Sequence, residues 1–167
     1  MRTYLRNRTL GGVYFFTVNL AQRNGNTLLT QNIGSLHEAF RHVLNDHPVA
    51  VEAMVVLPDH LHCLWRMPEG DHAYGMRWRM IKARFSMAVA GGEQRSASRM
   101  RKGERGIWQR RYWEHLIRDD GDFARHADYI HYNPVKHGHA ARAADWPHST
   151  FMRWVKRGVY AEDWAGS

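Results

Sequence analysis

The segment LPDHLHCLW (57–65) sets His60 and His62 two positions apart in an otherwise apolar run. Side chains alternate along a strand, so residues i and i+2 share one face about 6.5 Å apart, and two imidazoles so placed can converge on one cation. Histidine-x-histidine is a metal hypothesis, but in a chain with 12 histidines it needs a third donor. HADYIHYNP (126–134) offers one. At about 100° per residue, Phe123, Ala127 and Ile130 define a core stripe, with His126, Tyr129 and Asn133 together on its flank. Tyr129 and Asn133 meet one helical turn apart, whereas Tyr132 belongs to another face. The same residues also read as a half-buried ring with its hydroxyl in water and a polar residue preceding a proline.

The elements that must position these groups follow from the patterning. VYFFTVNLAQ (13–22) is β-branched and aromatic and reads as a strand. Ser35 and Glu38 have capping-box spacing, and Ile33, Leu36, Phe40, Val43 and Leu44 recur at helical spacing up to Asp46. Segments 49–57 and 60–67 read as two strands paired as a hairpin across Pro58-Asp59, with Leu61, Cys63 and Trp65 on the core side. From Tyr74 to Ala90, Met76, Met80, Phe85 and Val89 form a looser helical stripe. Segment 91–106 has almost no apolar residues and reads as a flexible loop. Segment 107–117 resumes strand composition; Asp119 and Asp120 can cap a helix from Gly121 to Asn133 that Pro134 ends. The order βαββαβ plus a helix predicts an α+β, ferredoxin-like or RRM-like sheet with two helices on one face and an open opposite face. The whole chain, 1–167, reads as a single domain with a C-terminal extension over 140–167.

Composition narrows the partners. The 24 Lys and Arg against 16 Asp and Glu give a net charge of +8, so a polyanion is expected. The arginines cluster with aromatics in 77–85, 108–113 and 151–160, a mixture suited to single-stranded nucleic acid, where cations follow phosphates and rings stack on bases. Arg77, Lys82, Arg84, Trp108, Arg110, Arg111, Lys136 and Arg153 are the candidate DNA contacts. No stretch reaches the roughly 18 uninterrupted apolar residues of a membrane span. The single cysteine, Cys63, excludes an internal disulfide framework, and a cytoplasmic, nucleoid-associated protein is expected.

His60-Leu61-His62 together with YIHYNPVKHG (129–138), WQRRYWEHLIRD (108–119) and DWPHSTF (145–151) resembles the HUH transposases with a single tyrosine, specifically the REP-associated tyrosine transposases. The resemblance covers most of the chain and is weakest over 91–106. It implies cleavage and rejoining of single-stranded or hairpin DNA at short palindromic repeats, by a monomer or homodimer. It also implies Tyr129 as the nucleophile and a divalent metal, Mg²⁺ or Mn²⁺, on His60, His62 and Asn133. A phenol with a pKa near ~10 is a poor nucleophile until the attacked phosphate is made more electrophilic, which a bound cation does. A single-stranded nucleic-acid-binding module would keep the basic and aromatic clusters without needing this constellation. A cupin-type hydrolase would be all-β, and a histidine-triad hydrolase fails at Leu64.

Overall fold

The computed structural model describes residues 6–166. Strand β1 (Val13–Asn19) is followed by α1 (Leu28–Gln31), α2 (Ile33–Asp46), β2 (Ala50–Val56), β3 (His60–Arg66), α3 (Tyr74–Ala88), α4 (Ala97–Arg101), β4 (Trp113–Leu116), α5 (Asp120–Lys136) and α6 (Phe151–Lys156). The four strands form one antiparallel sheet in the order β2-β3-β1-β4, the arrangement expected of a ferredoxin-like sheet.

Alternation sorts the strand residues onto two faces. Tyr14, Phe16 and Val18 of β1 and Leu61, Cys63 and Trp65 of β3 enter the larger core, where Leu36, Phe40 and Val43 of α2 and Tyr74, Trp78, Ile81 and Phe85 of α3 cover them. Trp65 and Trp78 stack with ring centroids 4.2 Å apart. The second face is not open. Ala127 and Ile130 of α5 pack there on Phe15, Ala53, Val55, Leu57 and Leu64, forming a smaller core. Six of the seven β3 residues, His60 and His62 among them, are buried between the helices on both sides; Arg66 is exposed.

Several elements differ from the sequence expectation. Helix α2 starts at Ile33, so Ser35 lies inside its first turn and makes no cap. On α3 the buried stripe is Tyr74, Arg77, Trp78, Ile81 and Phe85, displaced from the methionine stripe because the aromatic rings bury more area. Segment 91–106 contains helix α4, and Arg105 ties it down by donating to the carbonyls of Ser86, Val89 and Ala90 and to Glu93. The strand in 107–117 is only four residues long, with a separate bridge between Leu20 and Trp108.

Helix α5 is capped by Asp119, which accepts from Asp122 N at 2.7 Å, but Pro134 does not end it. A proline near the last turn removes a single internal bond, and the stop comes at Gly138. There φ is +74°, with His139 N donating to Pro134 O at 2.8 Å and Gly138 N to Val135 O at 3.0 Å, a glycine-terminated helix end. Beyond it the chain runs back along β2. Val56 N donates to His148 O, Thr150 N to Met54 O, Trp146 Nε1 to Val56 O, Trp154 Nε1 to Glu52 O, and Arg153 to the carbonyls of Val51 and Glu52.

Candidate functional site

The hairpin turn and the β1–β3 register place the two histidines. Asn19 pairs with His60 and Thr17 with His62, so all four share the face that α5 covers. His60 Nδ1 donates to Asp59 Oδ1 at 2.7 Å, and Arg23 Nε donates to the other carboxylate oxygen at 2.9 Å. The carboxylate therefore fixes the ring with Nε2 as its lone-pair nitrogen. His62 Nδ1 lies 2.8 Å from Thr17 Oγ1, which orients the ring, while Nε2 is buried and has no hydrogen-bond partner among the described residues. The two rings are 4.9 Å apart, edge to face.

Helix α5 brings the remaining groups. The Tyr129 ring stands edge-on to His62 at 5.2 Å and to Phe15 at 5.9 Å, 39% exposed, with Lys136 Nζ 5.2 Å from its centroid. Asn133, one turn on, is fully buried, and neither Oδ1 nor Nδ2 has a partner among the described residues. A buried amide with both ends unsatisfied costs about 1–3 kcal/mol per group, a cost that a ligand at this spot would relieve. Nitrogen and oxygen lone pairs on His60, His62 and Asn133 are a donor set suited to a divalent cation, so the residues present fit a metal.

The electrostatics suit both a cation and a phosphate. Burial, then the charges of His60, His137, Arg23 and Lys136, depress the His62 pKa to about 3, so the ring is neutral at any physiological pH. Burial also lowers His60, against the pull of Asp59. Burial would raise the Asp59 carboxyl, but its hydrogen bonds to His60 and Arg23 outweigh this and hold it below the usual range. No proton needs displacing from His62 before it can ligate.

Of the sequence-predicted site residues, His60, His62 and Tyr129 come together, Lys136 lies beside the Tyr129 ring, and Asn133 is buried one helical turn from Tyr129. Two of the predicted DNA contacts are corrected. Arg77 is 2% exposed: it is ion-paired with Asp71 at 2.7 Å and donates to the carbonyls of His47, Pro48 and Ala73, so it serves the core and not DNA. Trp108 is 7% exposed and packs edge-on against Phe85 at 5.4 Å, which leaves no face for a base. Arg153 is engaged by the β2 carbonyls, Arg84 contacts His42, and Arg110 pairs with Glu104 at 2.9 Å. Arg111 is exposed. Lys82, which donates to Gln109 O, and Arg110 line a basic groove of about 800 Å³ with Arg79, Arg99 and Arg105, on the α3 side of the sheet and away from Tyr129. Burial lowers the Lys82 pKa to about 8.

Sequence reasoning missed Asp59, Arg23, Thr17 and His137, whose ring lies 5.9 Å from His60. Asp59 stood in view as the residue before His60; Thr17 needed the register. A further group, His115, Asp122 and His126, brings one potential ligand atom each within 4.8 Å of one another, a second possible metal set. In this structure hydrogen bonds join its members. His115 Nε2 donates to Asp122 Oδ2 at 2.8 Å, Arg118 N donates to the same oxygen at 2.9 Å, and His126 Nδ1 donates to the Asp122 carbonyl at 2.8 Å. Burial works to raise the Asp122 carboxyl, but these bonds and the neighbouring histidine charges bring it to about 2.

Comparison with known proteins identifies the family. No protein-family model matches the chain. The REP-associated tyrosine transposase of Escherichia coli K12 is 46% identical over 166 residues, covering 99% of this chain and 92% of that one. A protein of Haemophilus influenzae carrying the same family designation is 44% identical over 168 residues, covering 100% and 95%. A solved structure of a REP-associated tyrosine transposase bound to a REP hairpin superposes with a TM-score of 0.87 at 46% identity, covering 100% of this chain and 93% of that one. No helix among the described residues is long and apolar enough to cross a membrane. With two relatives above 40% identity over nearly their whole lengths, this chain belongs to the REP-associated tyrosine transposases.

Proposed function

We propose that this protein cleaves and rejoins single-stranded DNA beside palindromic REP hairpins, with Tyr129 as nucleophile and His60, His62 and Asn133 as ligands of a divalent metal. The observation that carries the reading is an exposed Tyr129 ring edge-on to His62, whose Nε2 is buried without a partner among the described residues, with the buried and likewise unpartnered Asn133 amide one helical turn on from that tyrosine. The hairpin-bound relative supports the class of substrate.

Each residue has a defined task. Lys136 and Arg23 lend positive charge to the site and draw in a phosphate. Asp59 and Thr17 hold the two imidazoles in orientation. A bound Mg²⁺ or Mn²⁺ would polarise the scissile phosphate; the mixed donor set suits Mn²⁺, and oxygen-rich substrate phosphates suit Mg²⁺. Tyr129 Oη, losing its proton, forms a bond to phosphorus in line with the breaking P–O3′ bond, and the 3′-oxygen gains a proton. The products are a 5′-phosphotyrosine and a free 3′-hydroxyl. Since the phosphodiester is exchanged and not hydrolysed, the reverse attack reseals a strand with no nucleotide cofactor.

The test is incubation with hairpin oligonucleotides bearing unpaired flanks, with Mn²⁺ or Mg²⁺, followed by a search for a denaturation-resistant protein–DNA adduct. Tyr129→Phe should keep DNA binding and lose the adduct. Tyr112→Phe and Tyr132→Phe should keep it, because Tyr112 packs beside Phe16 and Trp78 and Tyr132 turns towards Trp164. An adduct mapped to another tyrosine overturns the assignment; no adduct from any oligonucleotide leaves a binding module.

A further inference from the structure

The metal-side residues all lie towards β3 from Tyr129. On the opposite side, towards β4, is a depression of about 480 Å³ lined by Phe15, Thr17, Trp113, Arg125, His126 and Tyr129 itself, a size in the range of small-ligand pockets. Register places its far wall. Thr17 pairs with Trp113 on one side and His62 on the other, so Trp113, Thr17 and His62 form one row across the face that carries the chemistry. Trp113 is 57% exposed, and it is the one exposed tryptophan of the seven in the chain. The others are buried or half-buried in the cores. Arg125, largely exposed and 3.5 Å from Asp122 Oδ1 at its base, adds a guanidinium to a lining that itself contains no carboxylate. An indole left in water beside a guanidinium, on the wall facing the proposed nucleophile, fits a nucleobase with its attached phosphate.

We propose that this depression holds the base of the nucleotide on the 3′ side of the scissile phosphate, stacked on Trp113. The proposal rests on the strand-cleavage reading above. In-line displacement sends the departing 3′-oxygen, and the nucleoside that carries it, to the side of phosphorus opposite Tyr129 Oη. The nucleotide that keeps the phosphate becomes tethered to that oxygen, so its base reaches a pocket that shares the tyrosine ring as a wall. Stacking tolerates every base, so the subsite registers the presence of a base more than its identity.

The experiment first maps the cleaved bond on a hairpin oligonucleotide by the covalent adduct, then replaces the nucleotide on its 3′ side with an abasic unit. Under single-turnover conditions the abasic substrate should react about tenfold more slowly with the wild type, the scale of one lost stack. Trp113→Ala should slow the intact substrate by a similar factor, and the two changes together should slow it no further than either alone. Trp113→Phe should restore most of the rate. In the Tyr129→Phe background, 2-aminopurine at that position should be quenched on binding, and the quench should vanish when Trp113→Ala is added. Multiplying losses, or a quench indifferent to Trp113, overturns the subsite while leaving strand cleavage intact. Absence of any adduct with the wild type overturns both.

Discussion

Acidification should unfold this protein in a window set by a histidine outside the site. His131 on α5 is fully buried. Its Nδ1 donates to Tyr160 Oη at 3.2 Å, and Nε2 accepts from Thr150 Oγ1 at 2.8 Å. Burial lowers its pKa from 6.5 to about 4, so the folded chain keeps the ring neutral where the unfolded chain protonates it. The unfolded state binds the extra proton, so the contribution is fully present above pH 6.5 and is lost as pH falls towards 4. At pH 5 the gap is about 1.5 pH units at ~1.36 kcal/mol each, a loss of about 2 kcal/mol relative to pH 7. Against a typical total stability of about 5–15 kcal/mol, that is a large share. Urea unfolding at pH 7 and pH 5, with chelator and fixed ionic strength, measures it. His131→Gln, which cannot titrate, should show a pH difference smaller by about 2 kcal/mol. An identical difference in wild type and variant would refute the reasoning, because His62 titrates in both and cannot separate them.

Three other outcomes follow from the structure. Arg77→Met leaves Asp71 and three backbone carbonyls without their donor, so thermal or chemical unfolding should show a loss of roughly 3–5 kcal/mol, with DNA affinity per folded molecule unchanged. Asn133→Ala removes an amide that has no partner, so apo stability should hold within about 1 kcal/mol. Mn²⁺ affinity by calorimetry should drop at least about tenfold, as it should in His62→Ala; unchanged affinity in Asn133→Ala takes that residue off the metal. Affinity for single-stranded DNA should fall with salt at a logarithmic slope of about −0.7 per phosphate neutralised, and a flat response would discount the basic groove.

The sheet was legible because its strands are rich in β-branched and aromatic residues and bounded by turn signals, and the proposed catalytic face because H-x-H and the Tyr129–Asn133 spacing each fix a common side. What stayed hidden depended on three-dimensional neighbours. Arg77 and Arg79 look alike in sequence, yet one sits on the α3 face that meets the α2–β2 connection and is sealed by three carbonyls, while the other lines the basic groove. Trp108 looked like a stacking ring and is core, whereas Trp113, five residues on, faces outward; only the β1 register distinguishes them. Pro134 read as a terminator because proline lacks an N–H, but the signal that counts is Gly138 and its left-handed φ.

The return of the chain along β2 has a consequence for solubility. β2 is the outermost strand on its side of the sheet, and an uncovered outer strand offers a ladder of amides to any passing chain. Here Thr150, Trp146, Trp154 and Arg153 occupy that rim with backbone and side-chain hydrogen bonds. A chain cut before residue 143 would keep the proposed nucleophile and metal ligands and lose this guard, so it should associate strand to strand and precipitate.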